Sequence, residues 1–219
     1  IGGAWASTFD RVIVADSGGK DSEGCILRLL DLGVPASMME LWHHDVDGGA
    51  EAPRFMDWPI TGGYTQAIAD ALGIPLYFSW KDGGFKGEMY RNAAPTRPTF
   101  TERPGYGGLK VLEHTGGNGP DGTRMRWPAI SNDLDVRWCS AYLKIDVGSK
   151  MFTNDPRYTR GRFLFVTGER RQESAGRAKY AEAEYHRAHG VKREVIQWRP
   201  VIDFTEAEIW ALIGKYQIS

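Results

Sequence analysis

Ser17-Gly18-Gly19-Lys20-Asp21-Ser22 decides the reading of this chain. The residues before it, Arg11-Val12-Ile13-Val14-Ala15, form a short apolar run that reads as a buried strand. After it, Cys25, Ile26, Leu29 and Leu30 recur at helical spacing and Gly33 suits a helix end, which predicts a helix over 22–32. A loop between a strand and the helix that follows lies at the carboxyl end of the strand, where open α/β sheets bind ligands. Two glycines allow a tight turn in which successive N–H groups can point at one anion, and the helix adds its positive end. Ser17 and Ser22 bring hydroxyls and Lys20 a mobile charge. The loop suits a phosphate or pyrophosphate. It is neither a Walker A loop nor Gly-x-Gly-x-x-Gly.

Outward from the loop, residues 36–43 and 75–80 read as two more strands and 62–72 as the helix between them. Helical spacing returns at 137–150, a strong strand at 163–167, a polar helix at 174–189 and a last strand at 193–198. Thr205 and Glu208 form a capping box for a final helix, with Phe204 and Ile209 at the staple positions. Strand–helix alternation of this kind predicts an α/β, Rossmann-like parallel five-stranded sheet with helices on both faces. Residues 82–133 interrupt the rhythm, holding 10 of the 27 glycines and 5 of the 11 prolines. They are expected to be an insertion or flap within a single nucleotide-binding domain over 1–219 that is incomplete at its C-terminus.

A second chemical cluster is Thr167-Gly168-Glu169-Arg170-Arg171-Gln172-Glu173-Ser174, followed by Arg177. It too follows a strand. Arginine forks bind phosphate bidentately and keep their charge. Residues 157–199 hold eleven basic against five acidic residues, in a chain whose net charge is −1. At the end of the second strand, His43-His44-Asp45-Val46-Asp47 could either hold a divalent metal or form a polar loop. His114, His186 and His189 are scattered and expected to be solvated. Cys25 falls on the apolar side of the first helix; Cys139 is open to several readings. Two cysteines without a CxxC argue against a disulfide framework or a cluster held by this chain alone, and fit a reducing, cytoplasmic setting. No apolar run is long enough for a transmembrane helix, so no membrane contact is expected. The charge balance argues against a nucleic-acid coat and leaves only indirect nucleic-acid contact open.

The motif at 17–22 resembles the PP-loop, Ser-Gly-Gly-x-Asp-Ser, of the adenine nucleotide α-hydrolase-like superfamily. Together with Gly168-to-Ser174 and Arg177, Trp198-to-Thr205 with Glu208-Ile209-Trp210, and Trp138-to-Lys144, it resembles the phosphoadenosine phosphosulfate (PAPS) reductase family within that superfamily. The resemblance implies an adenine nucleotide, ATP or PAPS, with Mg²⁺. It implies nucleotide binding by Ser17, Gly18, Gly19, Lys20, Asp21, Ser22, Trp42, His43, Gly168, Arg170, Arg171 and Arg177. The catalytic candidates are Lys20, Asp21, Arg170 and Arg171, and Asp21 is the candidate metal ligand. Two departures matter. Trp138 stands where cluster-bearing relatives carry the first of two cysteines, so no iron–sulfur cluster is expected. Neither cysteine matches the family's C-terminal nucleophile. The expected activity is therefore ATP cleavage between the α and β phosphates, of pyrophosphatase or adenylating type. Two alternatives stand beside it. One is a PAPS or adenylyl-sulfate reductase whose catalytic cysteine lies beyond residue 219. The other is a non-catalytic nucleotide-binding subunit of a nucleic-acid modification or defence complex. A protein partner or a homodimer is compatible with each.

Overall fold

The structure, a computed structural model, describes residues 5–104, 110–131 and 133–217. In chain order the main elements are β1 (Arg11–Ala15), α1 (Lys20–Asp31), β2 (Met39–Asp45), α2 (Thr61–Leu72), β3 (Leu76–Lys81), α3 (Gly84–Met89), β4 (Thr99–Pro104) and β5 (Lys110–Thr115). They continue with α4 (Trp138–Ser140), a π-helical stretch Ala141–Ile145, α5 (Asp146–Asn154), β6 (Gly161–Val166), β7 (Ala183–Tyr185), β8 (Arg193–Trp198) and α6 (Glu206–Tyr216). Two compact units result: Ile1–His43 with Gly63–Leu76 and Pro156–Ser219, and His44–Gly62 with Tyr77–Asp155.

The fold is α/β with helices on both sides of a sheet, but the sheet is eight-stranded and mixed rather than five-stranded and parallel. Its order is β5-β4-β3-β2-β1-β6-β8-β7. β1 pairs in parallel with β2 and β6, and β6 with β8, as the strand–helix alternation predicts. The additional strands are antiparallel: β4 on β3, β5 on β4, and β7 on β8. All three lack the signal by which a buried strand is read. β5 and β7 are almost wholly exposed, and β4 buries Thr99 and Thr101 rather than aliphatic side chains.

In the first unit, Val12, Ile13 and Val14 are fully buried, as strands covered on both faces require. α1 buries Cys25, Ile26, Leu27 and Leu29. Gly24 lets α1 approach α6 closely: a β-carbon there would stand 2.9 Å from Ile209 Cδ1. The capping box of α6 forms as expected, with Glu208 N donating to Thr205 Oγ1 at 3.2 Å and Thr205 N donating to Glu208 Oε2 at 2.7 Å. The polar helix expected at 174–189 does not form. Two 3₁₀ turns, Arg171–Glu173 and Arg177–Lys179, precede β7 instead, and Arg199 N draws the chain in by donating to Glu182 O at 2.8 Å. His186 is buried, not solvated. Its ring meets Phe165 edge-on at 5.1 Å, and Ala188 N donates to its Nδ1 at 3.1 Å.

In the second unit, residues 82–133 carry α3, β4 and β5, more regular structure than their glycine and proline content predicts. Glu88, 2% exposed, accepts from Arg91 Nε at 3.1 Å and from Arg124 Nη2 at 2.9 Å. Ala94 and Gly122 exchange backbone hydrogen bonds of 3.2 and 3.0 Å. The Arg124 guanidinium lies 4.5 Å from the Tyr142 ring centre. Among the described residues no helix is long and apolar enough to cross a membrane.

Candidate phosphate-binding loop

Residues 17–22, Trp42, His43, Gly168, Arg170, Arg171 and Arg177 all belong to the first unit. The loop is built on the end of β1. Asp16 N donates to Trp42 O at 2.9 Å, which holds the exit of β1 against β2. The Asp16 side chain then turns back into the loop. Its Oδ1 accepts from Gly18 N at 2.9 Å and from Ser22 Oγ at 3.0 Å. Ser22 Oγ also lies 2.8 Å from Gly19 O and accepts from Ser17 N at 3.2 Å. Gly18 has φ +70°, a left-handed conformation that costs a side-chain-bearing residue energy, so the glycine is needed for the turn. Gly19 is the N-cap of α1 and offers no side chain, and no side chain caps the helix. The first N–H groups of α1 are thus left for another acceptor.

Gly168, just past β6, seats the second cluster against this turn. A β-carbon there would lie 2.9 Å from the carbonyl carbon and oxygen of Asp21 and 3.1 Å from Ser22 N. Arg170 is buried, and its Nε donates to Asp21 Oδ1 at 2.8 Å. Glu173 fixes it from the other side by accepting from Arg170 N at 2.7 Å. Lys20 Nζ lies 3.4 Å from Asp21 Oδ2 and 3.7 Å from Glu206 Oε1. Ser17 to Ser22, Gly168 and Arg170 are therefore assembled in one place. His43 joins them through its Nδ1, 3.0 Å from Asp16 O.

The other candidates are engaged elsewhere. Arg171 pairs with Asp203 and donates to Tyr180 O at 3.0 Å. Arg177 pairs with Glu173. Trp42 is fully buried, edge-on to Tyr158 at 5.0 Å. Within the second unit, Asp45 accepts from Arg54 at 2.8 Å, and Asp47 accepts from the backbone N–H groups of Phe55, Met56 and Asp57. These two carboxylates order a loop. Among the described residues no three His, Cys, Asp or Glu side chains are grouped to hold a metal.

Two acidic residues escaped the motif reading. Asp16, 3% exposed, immediately precedes it, and Glu23, 4% exposed, immediately follows it. Glu23 Oε2 accepts from the Tyr64 hydroxyl at 2.9 Å. Burial raises the Glu23 pKa, the Tyr64 hydrogen bond opposes the rise, and the Asp16 charge adds to it. Tyr64 is pushed up to about 12 by burial and by its bond to Glu23. A carboxylate on the buried face of a helix was the available signal. Cys25 is fully buried, and burial, with the charges of Glu169, Asp21 and Asp16, drives its thiol pKa well upward. Cys139 packs against the Phe85, Met89, Trp138 and Leu143 cluster of the second unit.

Comparison with known proteins gives a partial match. No family model matches the chain. A 54-residue stretch, 25% of the chain, is 35% identical to the adenosine 5′-phosphosulfate reductase of Burkholderia cepacia. The chain resembles the PAPS reductase family. The stretch spans only 20% of that reductase. Among solved structures, the PAPS reductase of Candida auris aligns over 98% of this chain and 76% of its own, at 12% identity and a TM-score of 0.49.

Proposed function

We propose that residues 17–22 bind an adenine nucleotide by its phosphate end, and that with ATP the chain supports cleavage between the α and β phosphates. The observation that carries this reading is the first turn of α1, which has no side-chain cap and is preceded by a loop held in shape by Asp16 and Ser22. A phosphate oxygen would accept the helix N–H groups without displacing a protein partner. Lys20, partly exposed at the same turn, would meet the leaving pyrophosphate, where negative charge grows in the transition state. Arg170 acts through Asp21. Its ion pair fixes the first turn of α1, and Gly168 sets how closely the two segments approach.

Mg²⁺, when bound, would neutralise phosphate charge and orient the leaving group. Asp21 fits that role poorly, because its two oxygens face Arg170 and Lys20. Asp16 fits better: its Oδ2 is buried and without a hydrogen-bond partner.

The likeness to a phosphosulfate reductase supports a second reading, in which PAPS or its unphosphorylated relative is the ligand. Cys25 is unsuited to attack its sulfate, since burial disfavours the thiolate. Incubation with ATP and with PAPS, followed by chromatography of the products, tests the two. Magnesium-dependent AMP and pyrophosphate from ATP are expected. Sulfite from PAPS would replace this reading with the second, and ATP binding without turnover would remove the cleavage step.

A further inference from the structure

We propose that Asp16 and Glu23 together form a divalent-cation seat at the phosphate loop, which nucleotide phosphate oxygens complete, while the motif's own carboxylate, Asp21, serves to hold Arg170. The inference rests on the phosphate-binding reading and deepens it.

The argument starts from two open valences. Asp16 Oδ1 is used by Gly18 N and Ser22 Oγ, but Asp16 Oδ2 is buried and accepts nothing. Glu23 Oε2 is used by Tyr64, but Glu23 Oε1 is likewise buried and accepts nothing. A buried carboxylate oxygen with no partner is costly. Ser22 joins the two: its Oγ lies 3.0 Å from Asp16 Oδ1, and Glu23 is the next residue of α1. Neither cation at the loop pairs with Asp16 or Glu23. Arg170 faces Asp21, and Lys20 faces Asp21 and Glu206. Among the described residues, no ion pair includes Asp16 or Glu23.

Chemistry narrows what could fill the gap. The donors are hard carboxylate oxygens, which select Mg²⁺, Mn²⁺ or Ca²⁺ over softer metals. Mg²⁺ commonly takes one or two carboxylates and completes its octahedron with water and substrate phosphates. Two protein ligands beside a phosphate loop match that pattern, and a third is not required. Asp16 also links the seat to the loop, because the same carboxylate positions Gly18 and Ser22.

Mn²⁺ alone is the probe, titrated into the nucleotide-free chain and followed by electron paramagnetic resonance. Asp16→Asn and Glu23→Gln should each weaken Mn²⁺ at least by the roughly tenfold loss seen even for outer-shell partners. Asp21→Asn should leave Mn²⁺ affinity within about twofold of the parent. Far-UV circular dichroism identifies a variant that does not fold, and Glu23→Gln, outside the loop's hydrogen bonds, then decides alone. Equal Mn²⁺ binding by the parent and Glu23→Gln, or no Mn²⁺ binding by the parent, overturns the seat. ATP titration in EDTA is the separate arm. ATP binding there with a failed manganese arm discards the seat and keeps the phosphate site; loss of both discards the site itself.

Discussion

The loop at residues 17–22 and the stretch from 82 to 133 are held by the same kind of interaction, a buried carboxylate gathering donors. In the loop, Asp16 reaches Gly18 and Ser22, two and six residues away. In the other stretch, Glu88 reaches Arg91 nearby but also Arg124, 36 residues away, and Ala93 N reaches Thr123 Oγ1 across 30. The first pattern lies within a short window of sequence. The second does not, and the same stretch, read locally, offers only glycines, prolines and scattered charge. The contrast separates what sequence order can reveal from what only tertiary closure creates.

The largest effect should come from the long-range carboxylate. Glu88→Ala leaves Arg91 and Arg124 buried without their partner, and removing one side of a buried pair costs about 3–5 kcal/mol. Urea denaturation should show a loss of that size. A loss below about 1 kcal/mol would mean that Glu88 is not what closes the stretch.

His186 tests a second long-range site. Burial first, then the charges of Arg187 and Arg193, lower its pKa from 6.5 to about 4. A depressed histidine favours the neutral folded form, so its contribution is full above about pH 6.5 and is lost as pH falls toward about 4. That contribution is on the order of 3 kcal/mol. The stability advantage of the parent over His186→Gln should therefore shrink from pH 7 to pH 4. A constant difference across that range would contradict the buried, neutral ring.

What was legible follows the same division. The parallel strands β1 and β6 announced themselves as apolar runs, β2 and β8 by their place in the strand–helix alternation, α1 by its apolar spacing and α6 by its capping box. β7 did not, because its three residues are exposed and its pairing is with Trp198 and its neighbours, over ten residues on. The loop itself was legible from Ser17 to Ser22. The roles of Arg170 and Arg171 were not separable, since both follow β6 in sequence. Only the fold turns one toward Asp21 and the other toward Asp203. Asp16 and Glu23 were hidden by the motif between them, one reading as a strand end and the other as an ordinary helix residue.

Smaller effects sharpen the local side of the comparison. Gly168→Ala would press a methyl group to 2.9 Å from the Asp21 carbonyl, and overpacking of this kind costs about 1–3 kcal/mol. Thermal unfolding should show the loss, and ATP affinity should fall with it because the first turn of α1 must shift. Unchanged ATP affinity would separate Gly168 from the site. Thr205→Ala should cost about 1 kcal/mol through loss of the α6 cap, seen as a modest fall in Tm.

The most direct test of the account is calorimetry of ATP and of adenosine against the parent and Gly19→Asp. An added carboxylate at the N-cap of α1, where the β-carbon would meet only Ser17 Oγ at 3.4 Å, places negative charge at the proposed phosphate position with little packing strain. The account predicts that the parent binds ATP more tightly than adenosine, and that Gly19→Asp abolishes the ATP advantage while the protein stays folded. A folded Gly19→Asp protein that binds ATP as the parent does would contradict it.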